Sequence, residues 1–319
     1  MKKYIIFFLL FIVALGIIAL ASKDESDEEQ SYAEGVIAPL VSIPSAEIET
    51  ETPKEEMTDV SAPILVDVSN VEIPTLIVER PEQLLSRVGY SVSYNKDTRC
   101  PNWVAWHLTK DHADGPYPRK GVPYYDDEGK VIGVGFVTSE TCGRGGYLFD
   151  REAESPAPSV RDIPNNRYGM SHGHLCPAGD NKWSKAAINQ SFLMTNMCPQ
   201  DEKLNQGDWR ILEERCRKWA QHYGDIYIVA GPLFYNGEQR TIGENNISVP
   251  DAFFKVVLCL NDTPKALGFI YPNTGEHHQM HEYVYSVDEV EVEAGMNFFA
   301  NLPDEIEDEV EKESNLRMW

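Results

Sequence analysis

The sequence predicts an α+β fold, a central antiparallel sheet flanked by helices, on three observations. The apolar runs 226–230, 253–260 and 266–271 have the length and the aromatic and β-branched content of buried strands. The segment 209–223 places Trp209, Leu212, Cys216, Trp219 and Ala220 at three- and four-residue spacing, one face of an amphipathic helix. Strands and helices come in clusters without strict alternation, which favours layers over a parallel βαβ architecture.

The chain opens with Met1-Lys2-Lys3, an uninterrupted apolar run over 4–21, and Ala19-Leu20-Ala21, a small-x-small pattern of the kind signal peptidase cuts. Residues 1–21 therefore read as a signal peptide. The run also reaches the lower limit of a spanning helix, so the alternative is an uncleaved membrane anchor through residues 4–21. Either way the expected location is exported: periplasmic or extracellular, or held at the membrane by its N-terminus. Residues 22–80 hold 15 acids against three bases and keep no sustained period, which describes an acidic disordered linker. The folded domain is expected over 81–319.

Within that domain, 88–94 alternates like a strand and 103–108 reads as a second. A stretch rich in Gly and Pro follows, with one short strand around 131–137. Residues 181–195 read as a short helix running into an apolar strand that ends near Asn196. Asn205-Gln206-Gly207-Asp208 then introduces the amphipathic helix. A last helix is expected over about 287–299, followed by an acidic C-terminal tail from Asp304. The sequence contains no internal repeat.

The net charge of −23 argues at first against a nucleic-acid partner, because phosphate binding normally draws on Lys and Arg. Its distribution weakens the objection. The linker carries −12 and the tail −5, leaving the middle only mildly acidic, where a local cationic cleft or a bound metal can suffice for an enzyme that must release product. Six cysteines in an exported chain would form up to three disulfides, and no Cys-x-x-Cys pair suggests a zinc ribbon.

The densest polar cluster is Ser171-His172-Gly173-His174-Leu175-Cys176-Pro177, and three readings compete for it. Gly169-Met170-Ser171-His172-Gly173 matches the nucleophile elbow of a serine hydrolase, but the flanks offer neither the strand before nor the helix after that Ser171 would need. His172, His174 and Cys176 alternate like ligands on one strand face, yet a fourth zinc ligand at the usual spacing is missing. In the third reading His174 is a general base, and Asn205 with Glu213 forms a metal station. Read on one helix, those two are just over two turns apart and face the same side. Their hard oxygens suit Mg2+, with Mn2+ as a substitute.

These residues resemble the DNA/RNA non-specific endonucleases, the ββα-metal or His-Me finger nucleases. Their signature is Asp-Arg-Gly-His-Leu-x-Pro, then Asn-x-x-Pro-Gln, then Leu-Asn-x-x-x-Trp-x-x-x-Glu. Here the counterparts are His172-Gly173-His174-Leu175-Cys176-Pro177, Asn196-Met197-Cys198-Pro199-Gln200, and Leu204-Asn205 through Trp209 to Glu213. Gly231-Pro232-Leu233 also fits, and the likeness spans about residues 86–303. The resemblance implies a ββα-metal motif on the α+β fold, with His174 activating water, Asn205 ligating Mg2+, Glu213 holding its water shell and Asn196 completing the catalytic set. It implies phosphate binding by Arg144, in Arg144-Gly145-Gly146-Tyr147-Leu148-Phe149-Asp150, and by His172. One departure stands out: Ser171-His172 replaces the family's Asp-Arg pair, so a permanently charged fork becomes an imidazole.

The function implied is hydrolysis of phosphodiester bonds in DNA and RNA, leaving 5′-phosphate and 3′-hydroxyl ends. Substrate would be held through its phosphate backbone with little base specificity. No protein partner is implied. The rival reading in another class is a non-catalytic nucleic-acid binder that has kept the fold, motivated by the missing arginine and the acidic surface. It gives no reason for His174, Asn205 and Glu213 to be kept together.

Overall fold

The computed structural model describes residues 69–117, 147–158, 162–163, 168–235, 237, 239–261 and 263–319, with the backbone of Val122–Tyr125 and Val131–Gly135. All belong to one compact unit, Ala62–Trp319. The segment expected to be a signal peptide or anchor lies outside the described residues. Among those described, no helix is long and apolar enough to cross a membrane.

In chain order the strands are β1 (Thr75–Leu76), β2 (Gln83–Ser86), β3 (Ser91–Asn95), β4 (Cys100–Thr109), β5 (Val122–Tyr125), β6 (Val131–Gly135), β7 (Met170–His174), β8 (Met197–Asp201), β9 (Asp225–Leu233), β10 (Thr241–Ile242), β11 (Ile247–Ser248), β12 (Ala252–Cys259), β13 (Lys265–Pro272), β14 (Val284–Tyr285) and β15 (Met296–Asn297). Seven form one sheet in the order β14-β13-β12-β9-β4-β3-β2, every neighbouring pair antiparallel. The apolar runs read as strands are its centre. Val256 of β12 lies between Val229 of β9 and Gly268 of β13.

Both faces of the sheet are covered, which is why its central strands are apolar almost throughout rather than alternating with polar residues. On one face Trp106, Ile228, Phe253, Val257 and Phe269 pack under Trp209, Leu212, Cys216 and Trp219 of the long helix Asp208–Tyr223. On the other, Trp103, Val229, Phe254 and Val256 pack under Val287, Val290 and Ala294 of the penultimate helix Val287–Ala294 and Val310 of the last helix Asp304–Glu311. Period-two alternation along β12 sends Phe253 and Phe254 to opposite layers. The fold is thus α+β, a large antiparallel sheet with helices on both sides.

Several boundaries differ from expectation. Residues 69–80, read as linker, carry a fully buried Val71, and β1 pairs with β15. The expected strand running into Asn196 is not formed; Met194–Asn196 is a tight turn of 3-10 helix, and the strand begins at Met197. The helix expected to reach 299 stops at Ala294, because Gly295 adopts a left-handed cap at φ 63° and returns its N–H to the Glu291 carbonyl. The acidic tail is not a tail. Leu302, Ile306 and Val310 recur at four-residue spacing and dock Asp304–Glu311 on the sheet, so Asp304, Glu305, Asp308 and Glu309 line the helix's outer side while Glu311 is buried. Cys100, Cys176, Cys198 and Cys216 are buried free thiols and the buried Cys259 thiol donates to the Asn261 carbonyl at 3.7 Å, which corrects the disulfide expectation for all but Cys142, outside the described residues.

Candidate active site

β7 and β8 form a separate antiparallel hairpin, with His172 opposite Pro199 and His174 opposite Met197. The short helix Glu202–Gln206 follows immediately, then the long helix, giving a strand-strand-helix unit on one face of the sheet. The Asp201 side chain caps the short helix by accepting from Lys203 N at 2.9 Å, which turns the chain directly out of β8.

His172 and His174 fall on the same face of β7 because they are two apart. Gly173 between them has a steric reason: a Cβ there would lie 2.5 Å from the Gln200 side chain, which is fully buried against it. Tyr147 stacks on His172 with centroids 4.0 Å apart and meets His174 at 5.8 Å, and Phe192 packs edge-on against His174 at 5.2 Å. Tyr147 thus fixes the plane of His172, and Tyr147 and Phe192 together fix that of His174. The long helix reaches the same point, as Trp209 Nε1 donates to the His174 carbonyl at 3.3 Å.

Asn196 is fully buried and works as a clamp. Its Oδ1 accepts from Cys176 N at 2.9 Å, and its Nδ2 donates to the carbonyls of Cys176 and Ser191, both at 2.8 Å. With the Leu175 N–H bonded to the Asn196 carbonyl at 3.1 Å, the turn before β8 is locked to the end of β7. Asn196 is therefore a positioning residue, correcting its place among the catalytic groups.

A buried polar layer beneath the site went unread in the sequence. Asp180 accepts from Trp106 Nε1 at 3.1 Å and from Arg217 Nη1 at 2.8 Å, tying the loop after β7 to β4 and to the long helix. Burial raises its pKa, and Arg217 opposes the rise. Lys255, fully buried on β12, sits 4.4 Å from the Trp209 ring and 5.4 Å from Trp106, a cation over two indoles. An isolated Lys within an apolar run gives no hint of this role.

Asn205 and Glu213 are both half-buried, but they do not share a helix. The chain breaks at Gly207, where a Cβ would lie 2.5 Å from the Lys203 carbonyl, so Asn205 stands in the last turn of the short helix and Glu213 occupies the long one. The expectation of two turns on one helix is corrected: the hairpin and the break set their relation. Glu213 faces the end of β7 electrostatically, since its charge adds to burial and Asp180 in pushing the Cys176 thiol well above its ordinary value.

The geometry does not support the zinc reading. Cys176 is fully buried and accepts from Asn181 Nδ2 at 3.1 Å, and the described His, Cys, Asp and Glu residues that could share a cation do not include it, His172 or His174. Ser171 lies within a hairpin strand, paired with Gln200, rather than on a strand-to-helix elbow, so the serine hydrolase reading fails as well. His172 is 1 % exposed beneath Tyr147, which corrects its placement as a phosphate contact: the ring is packed, not presented. Arg144 lies outside the described residues. The segment behind it is anchored, since Asp150 accepts from Arg87 Nη2 at 2.7 Å and from Thr195 Oγ1 at 2.6 Å.

The chain is 31 % identical over 233 residues to mouse nuclease EXOG, mitochondrial, covering 67 % of this chain and 56 % of that protein. It is 31 % identical over 233 residues to nuclease 1, mitochondrial, of Schizosaccharomyces pombe, and 26 % identical to human endonuclease G, mitochondrial. The chain thus spans less than two thirds of the length of the EXOG relative. A crystal structure of the EndoG/EndoGI complex shares the fold, with a TM-score of 0.55 at 23 % identity over 70 % of this chain and 88 % of that one. These relatives are mitochondrial proteins, which overturns the expected periplasmic or extracellular location. An apolar N-terminal run in the sequence does not by itself specify a compartment. The strand-strand-helix unit, its histidine and its following Asn and Glu coincide with a match of the DNA/RNA non-specific endonuclease family over residues 68–305, and the chain belongs to that family.

Proposed function

We propose that the protein is a Mg2+-dependent, sugar-non-specific endonuclease that hydrolyses phosphodiester bonds of DNA and RNA to 5′-phosphate and 3′-hydroxyl ends. The observation carrying this reading is the convergence at the end of β7: His174 there is bonded through its carbonyl to Trp209, four residues before Glu213 on the same helix. Family membership and the named nuclease relatives support the enzymatic class.

Neutral His174 accepts a proton from water as the water oxygen attacks phosphorus. The bond from phosphorus to the 3′ oxygen then breaks, and that oxygen leaves as a hydroxyl after protonation. Packing by Tyr147 and Phe192 limits rotation of the imidazole, so the base is oriented before substrate arrives. Asn205 and Glu213 offer an amide oxygen and a carboxylate, a hard donor set suited to an ion that keeps most of its waters. Mg2+ bound there supplies charge stabilisation at the phosphoryl group and the departing oxygen. Asn196 holds the backbone around His174, and Arg144 is the residue assigned to the phosphate.

The test is cleavage of supercoiled plasmid and of RNA by the purified protein, with and without chelator. His174→Ala should lose about 10²- to 10⁴-fold in rate with its melting curve intact. Asn205→Ala should lose most activity even at high Mg2+, and Ser171→Ala almost none. Cleavage that survives exhaustive chelation, or Ser171→Ala abolishing turnover while His174→Ala does not, rules the mechanism out.

A further inference from the structure

On the sheet face opposite the strand-strand-helix unit, the penultimate and last helices bring three carboxylates together. Asp288 and Glu291 are three residues apart and so share one side of their helix, and Glu311 stands at the end of the other. One oxygen from each lies within 4.8 Å of the other two. Glu311 is only 5 % exposed, and its buried Oε1 accepts no hydrogen bond. A solvated acidic patch has no such feature, because water satisfies it. A buried carboxylate with an unpartnered oxygen, grouped with two further carboxylates, leaves a site that wants positive charge.

The surroundings add oxygen and rigidity. Phe298 N donates to Glu291 Oε1 at 2.7 Å and fixes that carboxylate, and the neighbouring Asn297 has a buried Oδ1 that also accepts no hydrogen bond. We propose that Asp288, Glu291 and Glu311 form a structural site for a hard divalent cation, Ca2+ above all, that ties the last helix to the penultimate one. An all-oxygen trio disfavours Zn2+, which takes nitrogen and sulfur. Ligands about 2.4 Å from a Ca2+ lie at most about 4.8 Å apart, which suits the spacing, whereas Mg2+ demands a tighter octahedron. The exposed Asp288 gives the ion a way in and leaves room for coordinating water. Asp288 and Glu291 lie within the residues matched by the family and Glu311 lies beyond them, so the third ligand comes from the segment after the match.

The full-length protein, stripped with chelator, is titrated with Ca2+ by calorimetry and by thermal melting. Because Ca2+ could also enter the active site, the titration is done in an Asn205→Ala background. Saturating Ca2+ should raise Tm by about 5 °C or more and bind at one site per chain. Glu311→Gln and, separately, the exposed Asp288→Asn should abolish that binding and the Tm rise, while each substitution in the otherwise native protein leaves Mg2+-supported plasmid cleavage within about twofold. The exposed variant keeps the test valid if the buried one does not fold. No Tm response to Ca2+, or a response that both variants retain, overturns the proposal.

Discussion

At residue scale, Gly173 ties the spacing of the two histidines to the packing of Gln200. Its position permits a fully buried amide side chain to close against the hairpin, and a methyl group there would lie 2.5 Å from that side chain. Gly173→Ala should therefore cost about 1–3 kcal/mol, as overpacking does. It should also lower plasmid cleavage by displacing the imidazole of His174, and urea unfolding run beside a cleavage assay checks both. A variant with native stability and native rate would show that Gln200 moves aside freely. His174, Asn205 and Glu213 could be proposed from the sequence because their order and spacing resemble the family's motif. Asp180, Lys255 and Tyr147 were not, because a buried partner gives a residue its role and a linear sequence does not show who is buried beside whom.

At the scale of elements, the central strands and the long helix were legible for one reason: each buries a continuous apolar surface, and apolar spacing is what a sequence displays. β7 was not, since Ser171-His172-Gly173-His174 has little β propensity and is a strand only because β8 pairs with it. The break at Gly207 is the element-level device that decides where Asn205 stands relative to Glu213. Gly207→Ala would set a methyl group 2.5 Å from the Lys203 carbonyl, a backbone atom that cannot rotate away. The two helices must then shift, changing the angle between the two proposed metal donors without removing either. Gly207→Ala should raise the Mg2+ concentration needed for half-maximal cleavage about tenfold or more while high Mg2+ restores most of the rate, which distinguishes it from Asn205→Ala. A metal titration of the two variants on one plasmid decides it, and an unchanged Mg2+ requirement would mean that the break does not set the metal geometry.

At the scale of the whole molecule, the acidic excess is partly built into the packing rather than spread over the surface. The last helix was read as a solvated tail because its composition is acidic, yet its apolar stripe carries Glu311 into a pocket whose charged influences are Glu291, Glu307, Asp288 and Asp308, all acidic. Burial first, and then these neighbours, raise Glu311 from 4.5 to about 9, and Glu291 rises from 4.5 to about 7. Both folded values exceed those of the unfolded chain, so the folded state holds more protons between them, and stability present below pH 4.5 is lost as pH rises through about 7 and then about 9. In chelator, the Tm of the native sequence should therefore fall relative to that of Glu311→Gln as pH is raised from about 5 to about 9. The glutamine has no proton to lose. Ca2+ should flatten the decline of the native protein alone, because the ion takes over the role of the departing protons, so its stabilising effect should grow with pH. Melting curves of both proteins across that range, with chelator and with Ca2+, provide the measurement. A Tm difference between them that stays constant from pH 5 to 9 would mean that Glu311 is already ionised throughout the range.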